Sequence, residues 1–384
     1  MRTPTQHLSF TRPTLPPGLE PLRREVREFL GEELAKGTWE RGGKSWGEYN
    51  PALTRRIAER GWVGMTFPKE YGGHERSYLE RYVVTEELLA AGSPCGAHWV
   101  ADRQSGPLLL RYGTEEQRRK YLPPIVRGES YFCIGMSEPD SGSDLASIRT
   151  RADKVDGGWA LSGTKIWTSW AHHCHYIIVL CRTEPPSQNR HAGMSQLLVD
   201  LQAPGVSIRP IDNLTGKHEF NEIVFDGVFV PDRDLIGEPG SGWHQVTSEL
   251  AYERSGPERF LTNFHLLRET VDRLGPDCQP ASARELGRLL ADLSALRAAA
   301  LSIAGQLEAG ETPAVEASLV KDRGTLLQQE LPQVARRIAL AERFDDVDFD
   351  RQVGSWTLLA PAYTIQGGTT EILRGIIARG LGLR

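Results

Sequence analysis

The sequence predicts a multidomain α+β protein, in which a middle antiparallel β domain separates two helical regions. Apolar residues recur at helical spacing through residues 1–130. Short β-rich runs bounded by turn residues occupy 131–236, and long helical patterns return over 237–384. The length of 384 residues also favours two or three packed units, because a single hydrophobic core rarely grows beyond roughly 250 to 300 residues.

The N-terminal region is predicted to be mostly helical. Leu22, Val26 and Phe29 recur at helical spacing, and Gly37 follows them as a stop signal. Further helices are predicted at about 51–60, 78–91 and 104–112. A helix begins after Thr114, and because proline cannot donate a backbone hydrogen bond, we expect this helix to end near Pro123 and Pro124. Thr114 and Gln117 have the spacing of a capping box.

The middle region alternates short β-rich runs with turn residues. Asp156-Gly157 lies between two runs and is a strong hairpin signal. No long helix is interleaved, so we expect antiparallel pairing. The predicted strands are Tyr131 to Met136, Ile148 to Val155, Trp159 to Ser162, Tyr176 to Cys181, Gln196 to Leu201 and Glu222 to Val230.

The C-terminal region follows a glycine-rich break at 237–242 and returns to helical periodicity. Its apolar face combines small and large side chains, which suits packing in a helical bundle. Helices are predicted at about 243–274, 281–309, 313–343, 352–365 and after Gly368.

Composition excludes several classes of function. With a net charge of -5 and scattered basic residues, the chain has no positive surface that would attract nucleic acid. No apolar run approaches the roughly 20 residues that span a bilayer, and we expect a cytoplasmic protein without membrane contact. The five cysteines show no CxxC spacing, which is typical of reduced thiols and not of a disulfide frame or zinc site.

His172-His-Cys-His175 is a candidate metal cluster on residue type alone. Neighbouring side chains of an extended segment point to opposite faces, so they cannot all meet one ion. We therefore expect no metal here.

Two segments carry the chemistry of a flavin site. Met136–Asp144 places small hydroxyl residues around Gly142, so that side chains and backbone N–H groups can meet a polar ring edge or a phosphate. Gly163–Ser169 sets Trp167 beside two hydroxyl residues, which gives a flat apolar surface next to hydrogen-bond donors. Taken alone, such Ser/Gly/Asp runs are also typical of plain surface loops.

Four segments resemble motifs of the acyl-CoA dehydrogenase family, in the order of that family. Ser137–Asp144 and Lys165–Ser169 resemble its two flavin signatures, Gly61–Gly73 its N-terminal motif and Gly368–Arg374 its C-terminal motif. The resemblance implies an N-terminal helical domain, a middle β domain and a C-terminal four-helix bundle, with FAD at their junction. It also implies an oxidoreductase of lipid metabolism that dehydrogenates acyl-CoA thioesters.

The resemblance assigns cofactor contacts to individual residues. The backbone of Met136 and Ser137 and the Ser137 hydroxyl are expected to bond the pyrimidine edge of FAD. Ser143 is expected near the pyrophosphate or the pantetheine arm of the substrate. Trp167 would pack on the flavin, with Thr168 or Ser169 near N5 and O4. Thr369 and Glu371 begin the last helix, where free N–H groups favour polar cofactor atoms.

The catalytic base is expected on the first helix of the C-terminal bundle. Many family members place a Glu immediately before the Gly-Thr of the last motif, but Gly367 stands at that position here. Other members use a Glu-Arg pair on the bundle, which Glu253 and Arg254 match. We therefore expect Glu253 to remove the α-proton and Arg254 to contact substrate. The Gly367 N–H is expected to polarise the thioester oxygen.

Two family motifs that reach the FAD of a neighbouring subunit are missing. Leu274–Pro280 and Phe344–Asp350 occupy their places. This favours a hetero-oligomer with a related chain, while a homo-oligomer stays open. An electron-transfer flavoprotein is the expected acceptor. The alternatives are a flavin oxidase or monooxygenase on the same fold, or a non-catalytic subunit.

Overall fold

A computed structural model describes residues 8–11, 15–40, 45–185, 187–254 and 256–383, apart from the side chains of 249–253. The chain forms two compact units. The first unit contains Met1–Glu48, Ser77–Pro94 and Ala251–Arg384, and the second contains Tyr49–Arg76 and Cys95–Leu250. The domain boundaries after residues 130 and 236 stay predictions.

The second unit is built on one β-sheet. The strands are β1 Phe132–Gly135, β2 Arg151–Val155, β3 Gly158–Ser169, β4 Tyr176–Arg182, β5 Met194–Asp200, β6 Val206–Asp212, β7 His218–Pro231 and β8 Leu235–Ile236. Their order in the sheet is β6-β7-β3-β2-β4-β5-β8, with β1 beside β4.

The predicted hairpin between β2 and β3 is confirmed. Val155 pairs with Gly158 around the two-residue turn, and Gly157 has a φ of +71°, which only glycine adopts without cost. Antiparallel pairing holds for most of the sheet, but β1 and β2 each pair with β4 in parallel. The prediction of a purely antiparallel sheet is wrong at these two pairs. β6 and β8 were not predicted.

Helices of the second unit cover one face of this sheet. Leu122 and Ile125 share a buried core with Phe132 and Ile178. The helices that lie wholly within this unit are α2 Pro51–Glu59, α4 Gly96–Val100, α5 Gly106–Tyr112 and α6 Glu115–Val126.

The predicted capping box at the start of α6 is confirmed, because Thr114 and Gln117 exchange side-chain and backbone hydrogen bonds. The predicted end is early by two residues. α6 continues through Pro123 and Pro124 and ends at Val126. A proline in the last turn of a helix lacks a backbone N–H donor, but its carbonyl still accepts a hydrogen bond. The two proline carbonyls receive the N–H groups of 127 and of 129–130.

The first unit is helical. The helices are α1 Glu20–Ala35, α3 Tyr78–Ala90, α7 Gly242–Arg254, which begins in the other unit, α8 Glu258–Leu261, α9 Phe264–Leu274, α10 Pro280–Glu308, α11 Ala314–Glu342, α12 Val347–Leu359 and α13 Thr370–Gly380. The single helix predicted over 243–274 is therefore three helices, α7, α8 and α9. Pro257 accounts for the break between α7 and α8, because the residue before a proline disfavours helical geometry. The predicted class of helical, β and helical regions is thus confirmed.

Among the described residues, no helix is both long enough and apolar enough to cross a bilayer. The cytoplasmic location remains a prediction.

His265 and Trp356 form a buried polar contact in the helical unit. The indole Nε1 donates to His265 Nε2 at 3.3 Å. Because indole nitrogen only donates, the imidazole must accept at Nε2 and stay neutral. Burial lowers the pKa of His265 to about 4.

We expect this histidine to weaken the fold at acidic pH. Its pKa is about 4 when folded and about 6.5 when unfolded, so the unfolded chain takes up the proton first as pH falls. The stabilisation is complete above pH 6.5 and falls by about 2 kcal/mol at pH 5. Unfolding free energies of wild type and His265→Phe at pH 7.5 and 5 measure it. An equal pH dependence in both proteins would contradict the assignment.

Candidate functional site

The loop after β1 begins with a closed turn. Glu138 N donates to the Ser141 carbonyl at 2.9 Å, and Ser141 N donates back to the Glu138 carbonyl at 3.1 Å. Ser141 Oγ lies 2.7 Å from Ser147 Oγ, so this hydroxyl serves the loop itself. Ser137 is half-buried and Ser143 is exposed. The last two hydroxyls are therefore the ones placed at the loop surface.

A buried ion pair joins this loop to β3. Lys165 Nζ donates to Glu138 Oε1 and to the Met136 carbonyl, each at 2.9 Å. Ile166 N donates to the Ser137 carbonyl at 3.0 Å. The two segments that the sequence predicts as one site thus adjoin in the fold. With both carbonyls engaged, the N–H groups of Met136 and Ser137 are favoured for the predicted backbone contact.

The ion pair is held in the charged state by compensating effects. Burial opposes ionisation of Glu138, but Lys165 and the backbone N–H groups of Arg149 and Thr150 outweigh it and lower the pKa of this carboxyl. Burial also lowers the pKa of Lys165, which Glu138 partly offsets. Lys165 is fully buried, so removal of its charge would leave Glu138 uncompensated.

A β-bulge in β3 presents the second predicted segment. Lys165 pairs with Ile223, but the next pair of residues is Thr168 and Asn221, so two residues of β3 oppose one of β7. Trp167 lies within the bulge with a φ of +63°. The bulge turns the Trp167 side chain outward, 57% exposed, and the Thr168 side chain inward, 2% exposed.

The described residues fit a flavin at this bulge. Thr168 Oγ1 is buried and has no hydrogen-bond partner within the described part of the chain. The exposed indole of Trp167 supplies an apolar face against which a flavin ring can pack. Ser169, two residues after Trp167, is half-buried, whereas the Thr168 side chain is turned inward. The choice between Thr168 and Ser169 near N5 and O4 stays a prediction.

We expect Thr168→Val to weaken FAD binding, because it removes this hydroxyl and keeps the shape of the side chain. One hydrogen bond of about 1 kcal/mol corresponds to roughly a 3- to 10-fold higher Kd. Fluorescence titration of FAD measures the change, with Thr164→Val on the same strand as the matched control. An unchanged Kd would mean that this hydroxyl does not meet the cofactor.

The predicted C-terminal site residues lie in the helical unit, around a double-glycine turn. Gly367 and Gly368 have φ values of +67° and +102°. Arg254 Nε donates to the Gly367 carbonyl at 2.9 Å, and Lys321 Nζ donates to the Gly368 carbonyl at 3.0 Å. A Cβ on Gly368 would lie 3.0 Å from Arg254 Nη2, so this position accepts only glycine without rearrangement.

The buried cations fix the peptide planes of this turn. Arg254 is 4% exposed and Lys321 is 1% exposed. Because carbonyl and N–H of one trans peptide point in opposite directions, the N–H groups of Gly368 and Thr369 face away from the two cations. Thr369 Oγ1 accepts from Ile372 N at 3.4 Å and so caps α13.

Three predicted roles are left as predictions by this geometry. The Glu253 side chain lies outside the described residues, although its backbone is part of α7. Glu371 is exposed in the first turn of α13. Arg254 supports the glycine turn, and its contact with substrate remains a prediction.

The argument against a metal site assumed that the histidine-rich segment is extended. The structure shows that it is not extended. Trp170 has a φ of +57° and turns the chain into a short helical turn at Ala171–His173. His172 Nδ1 lies 3.1 Å from Asn221 Oδ1. Throughout the described ranges, no group of three His, Cys, Asp or Glu residues is arranged to hold a metal ion.

Sequence reasoning missed Asn221 and Lys321 as supports of the predicted site. Each acts on a segment far along the chain: Asn221 bonds the Thr168 carbonyl, and Lys321 bonds the Gly368 carbonyl. No local pattern marks such partners. Lys165 and Glu138 lay within the quoted motifs, so their opposite charges were an available signal.

Comparison with known proteins gives a consistent result. Family models for the N-terminal, middle and C-terminal domains of acyl-CoA dehydrogenases match residues 17–129, 133–228 and 240–382. Acyl-CoA dehydrogenase IpdE1 of Mycobacterium tuberculosis is 35% identical over 387 residues, covering 95% of this chain and 98% of that protein. Acyl-CoA dehydrogenase FadE26 of the same organism is 30% identical, covering 96% and 97%.

Two solved structures are similar along almost the whole chain. The Tcur3481-Tcur3483 steroid ACAD has a TM-score of 0.86 at 32% identity, covering 96% of this chain and 97% of that chain. The ChsE4-ChsE5 complex from Mycobacterium tuberculosis has a TM-score of 0.81 at 28% identity, covering 97% and 100%.

Proposed function

This chain belongs to the acyl-CoA dehydrogenase family, whose members use FAD, and from that premise we propose that Glu253 is the base of its reaction. Oxidation of a saturated thioester needs a base that removes a weakly acidic α-proton. FAD, when bound, accepts the β-hydride at N5. A carboxylate in a dry site has a raised pKa and is better matched to this proton transfer.

The observation that carries this proposal is the contact of Arg254 with the glycine turn. Gly367 stands where many family members place their base, and its carbonyl accepts from Arg254 at 2.9 Å. Glu253 immediately precedes Arg254 in α7. Glu253, at the alternative base position, is thus adjacent in sequence to Arg254, whose side chain contacts Gly367 at the usual base position. This supports Glu253 as the replacement.

The turn also supports a second role in the proposal. Developing negative charge on the thioester oxygen is stabilised by preorganised N–H donors. Arg254 and Lys321 hold the carbonyls of Gly367 and Gly368, which fixes the two peptides that directly follow the Gly367 N–H. We assign polarisation of the thioester carbonyl to this N–H group. Ser143 remains the proposed contact for the pyrophosphate of FAD or the pantetheine arm of the substrate.

A steroid-derived acyl group is the first substrate candidate, because one of the similar solved structures is named a steroid ACAD. The test is anaerobic bleaching of the flavin by a panel of steroid-derived, branched and straight acyl-CoA thioesters. We expect bleaching by at least one thioester and transfer of the electrons to an electron-transfer flavoprotein. Turnover in air without that acceptor would favour the oxidase alternative. A flavin that no thioester bleaches would refute the dehydrogenase proposal.

The segment Phe344–Asp350, which replaces one cross-subunit motif, contacts the end of α9, directly before the segment that replaces the other. Arg273 Nη2 donates to Asp346 Oδ2 at 2.7 Å, and its guanidinium carbon lies 5.0 Å from the Phe349 ring centroid. Asp346 also caps α12 through Phe349 N. Three more carboxylates, of Asp345, Asp348 and Asp350, lie in the same segment. Such a surface repels a pyrophosphate, which supports a hetero-oligomeric assembly.

We expect one FAD per two chains in that assembly, because this chain would not complete a neighbour's cofactor site. Flavin absorbance against protein concentration, with native mass of the purified complex, measures the ratio. Relatives whose titles name two chains, Tcur3481-Tcur3483 and ChsE4-ChsE5, are consistent with this expectation. A homo-oligomer with one FAD per chain would refute the hetero-oligomer and leave the enzyme proposal intact.

A further inference from the structure

The N-terminal arm, residues 8–11, is bound to the helical unit through its main chain. Ser9 N donates to Glu316 Oε1 at 3.0 Å, and the Ser9 carbonyl accepts from Gln306 Nε2 at 2.5 Å. These partners lie 307 and 297 positions further along the chain. Both main-chain groups of one arm residue are therefore engaged by side chains of the C-terminal helices.

The next contact of the arm has the spacing of an extended strand. Thr11 N donates to Ser302 Oγ at 2.9 Å. In an extended strand, the N–H and carbonyl groups of residues i and i+2 point to the same side. Ser9 and Thr11 thus present one edge of the arm to the helices. The N–H of Phe10 takes no part in these contacts.

Three side chains of α10 and α11 constitute the arm groove. Ser302 and Gln306 are four residues apart on α10 and so share one face of it, and Glu316 lies in the first turn of α11. Ser302 is 1% exposed, Gln306 8% and Glu316 9%. Buried polar groups need hydrogen-bond partners, and the arm supplies a main-chain partner to each of the three.

The side chains of the arm contribute little to this contact. Ser9, Phe10 and Thr11 are exposed, and Phe10 is 39% exposed. Within the described ranges, one arm side chain meets the groove by a hydrogen bond, that of Thr11, whose Oγ1 lies 3.3 Å from Ser302 Oγ. The main-chain contacts are of a kind that an extended peptide of almost any sequence can make.

We propose that the arm groove is a binding site for an extended peptide main chain, and that the arm is its ligand within the same chain, bound as a latch that opens and closes. The net contribution of a hydrogen bond is similar to the conformational entropy lost when one residue is ordered. Three main-chain hydrogen bonds and an exposed phenylalanine therefore favour the closed arm only modestly over a free one. The latch is independent of FAD binding and of the proposed function.

Chymotrypsin cleavage after Phe10 measures the opening of the latch. A protease binds its substrate as an extended strand through the same main-chain groups, so the closed arm is protected and the cleavage rate follows the open fraction. Ser302→Ala removes one acceptor of the groove, and Glu316→Leu removes another. Loss of one hydrogen bond shifts an equilibrium about 3- to 10-fold. We expect each variant to release the fragment that begins at Thr11 at least about 2-fold faster than the wild type.

Matched variants separate the groove from the rest of the bundle. Glu316→Gln keeps an acceptor and should give a cleavage rate between those of the wild type and Glu316→Leu. Ser294→Ala on α10 and Glu311→Gln between α10 and α11 remove exposed groups of the same kinds outside the groove. Both should be cleaved after Phe10 at the wild-type rate. All proteins are compared with any partner chain that copurifies.

A peptide added to a chain that lacks residues 2–11 tests what the groove recognises. Saturation-transfer NMR should detect binding of a peptide of residues 6–13, with a Kd near or below the millimolar effective concentration that a short linker provides. Methyl groups on the main-chain nitrogens of Ser9 and Thr11 should abolish binding. A methyl group on the nitrogen of Phe10, or Phe10→Leu in the peptide, should leave binding within about 2-fold of the parent peptide.

Each alternative result contradicts one part of the proposal. A wild-type cleavage rate in both Ser302→Ala and Glu316→Leu would overturn the latch. An equal rise of cleavage throughout the bundle would mean that the variants loosen the fold and would overturn it as well. Equal binding of the parent peptide and the peptide methylated at Ser9 and Thr11, or binding of neither, would overturn the recognition of the main chain.

Discussion

Glu253→Gln is expected to slow reduction of the flavin by substrate at least 100-fold. The variant keeps the shape and hydrogen bonding of the side chain but removes its basic charge. General-base catalysis contributes about 10² to 10⁴ in rate, which is roughly 3 to 5 kcal/mol of activation free energy. FAD content should stay at the wild-type level, because the predicted cofactor contacts lie elsewhere. Stopped-flow bleaching of the flavin under anaerobic conditions measures the rate.

A matched control and a rescue variant sharpen this prediction. Glu238→Gln removes one exposed carboxylate just before α7 and should leave the rate unchanged. Gly367→Glu, added to Glu253→Gln, restores part of the activity if both positions face the same α-carbon. Because Gly367 has a φ of +67°, a side chain there is strained and full rescue is not expected. An undiminished rate in Glu253→Gln would place the base elsewhere or make this chain a non-catalytic subunit.

Elements specified by neighbouring residues could be predicted from the sequence. The hairpin needs only Asp156 and Gly157, and the start of α6 needs only Thr114 and Gln117. The long helices follow from a periodicity that repeats within each helix. In contrast, the parallel pairing of β1 with β4 joins residues about 44 positions apart, and no short pattern encodes it.

The predicted site could be located but not explained from the sequence. Its two flavin segments were recognised by resemblance, while the contacts that join them were not. The bulge at Trp167 depends on how β3 pairs with β7, and the buried hydroxyl of Thr168 follows from that bulge. The Arg254 contact with Gly367 likewise joins residues 113 positions apart. Such non-local pairings are set by tertiary packing.

Lys165→Met is expected to destabilise the protein by about 3–5 kcal/mol, because it leaves the buried Glu138 carboxylate without its cation. Methionine keeps the length and apolar stem of lysine, so little packing is lost. A loss of this size lowers Tm by about 6 °C or more. FAD retention should fall too, since the Met136 carbonyl loses its donor. Thermal melts of the holo- and apoprotein measure both effects.

The pH dependence and two further variants test whether charge is the cause. Without Lys165, the pKa of Glu138 should rise, so the folded variant takes up a proton as pH falls and the destabilisation is smaller at pH 5 than at pH 8. Glu138→Gln added to Lys165→Met should recover most of the loss, because no buried charge remains. Lys154→Met breaks an exposed pair with Asp232 on the same sheet and should cost at most about 1 kcal/mol. Equal losses in Lys165→Met and Lys154→Met would show that the buried pair contributes no more than an exposed one.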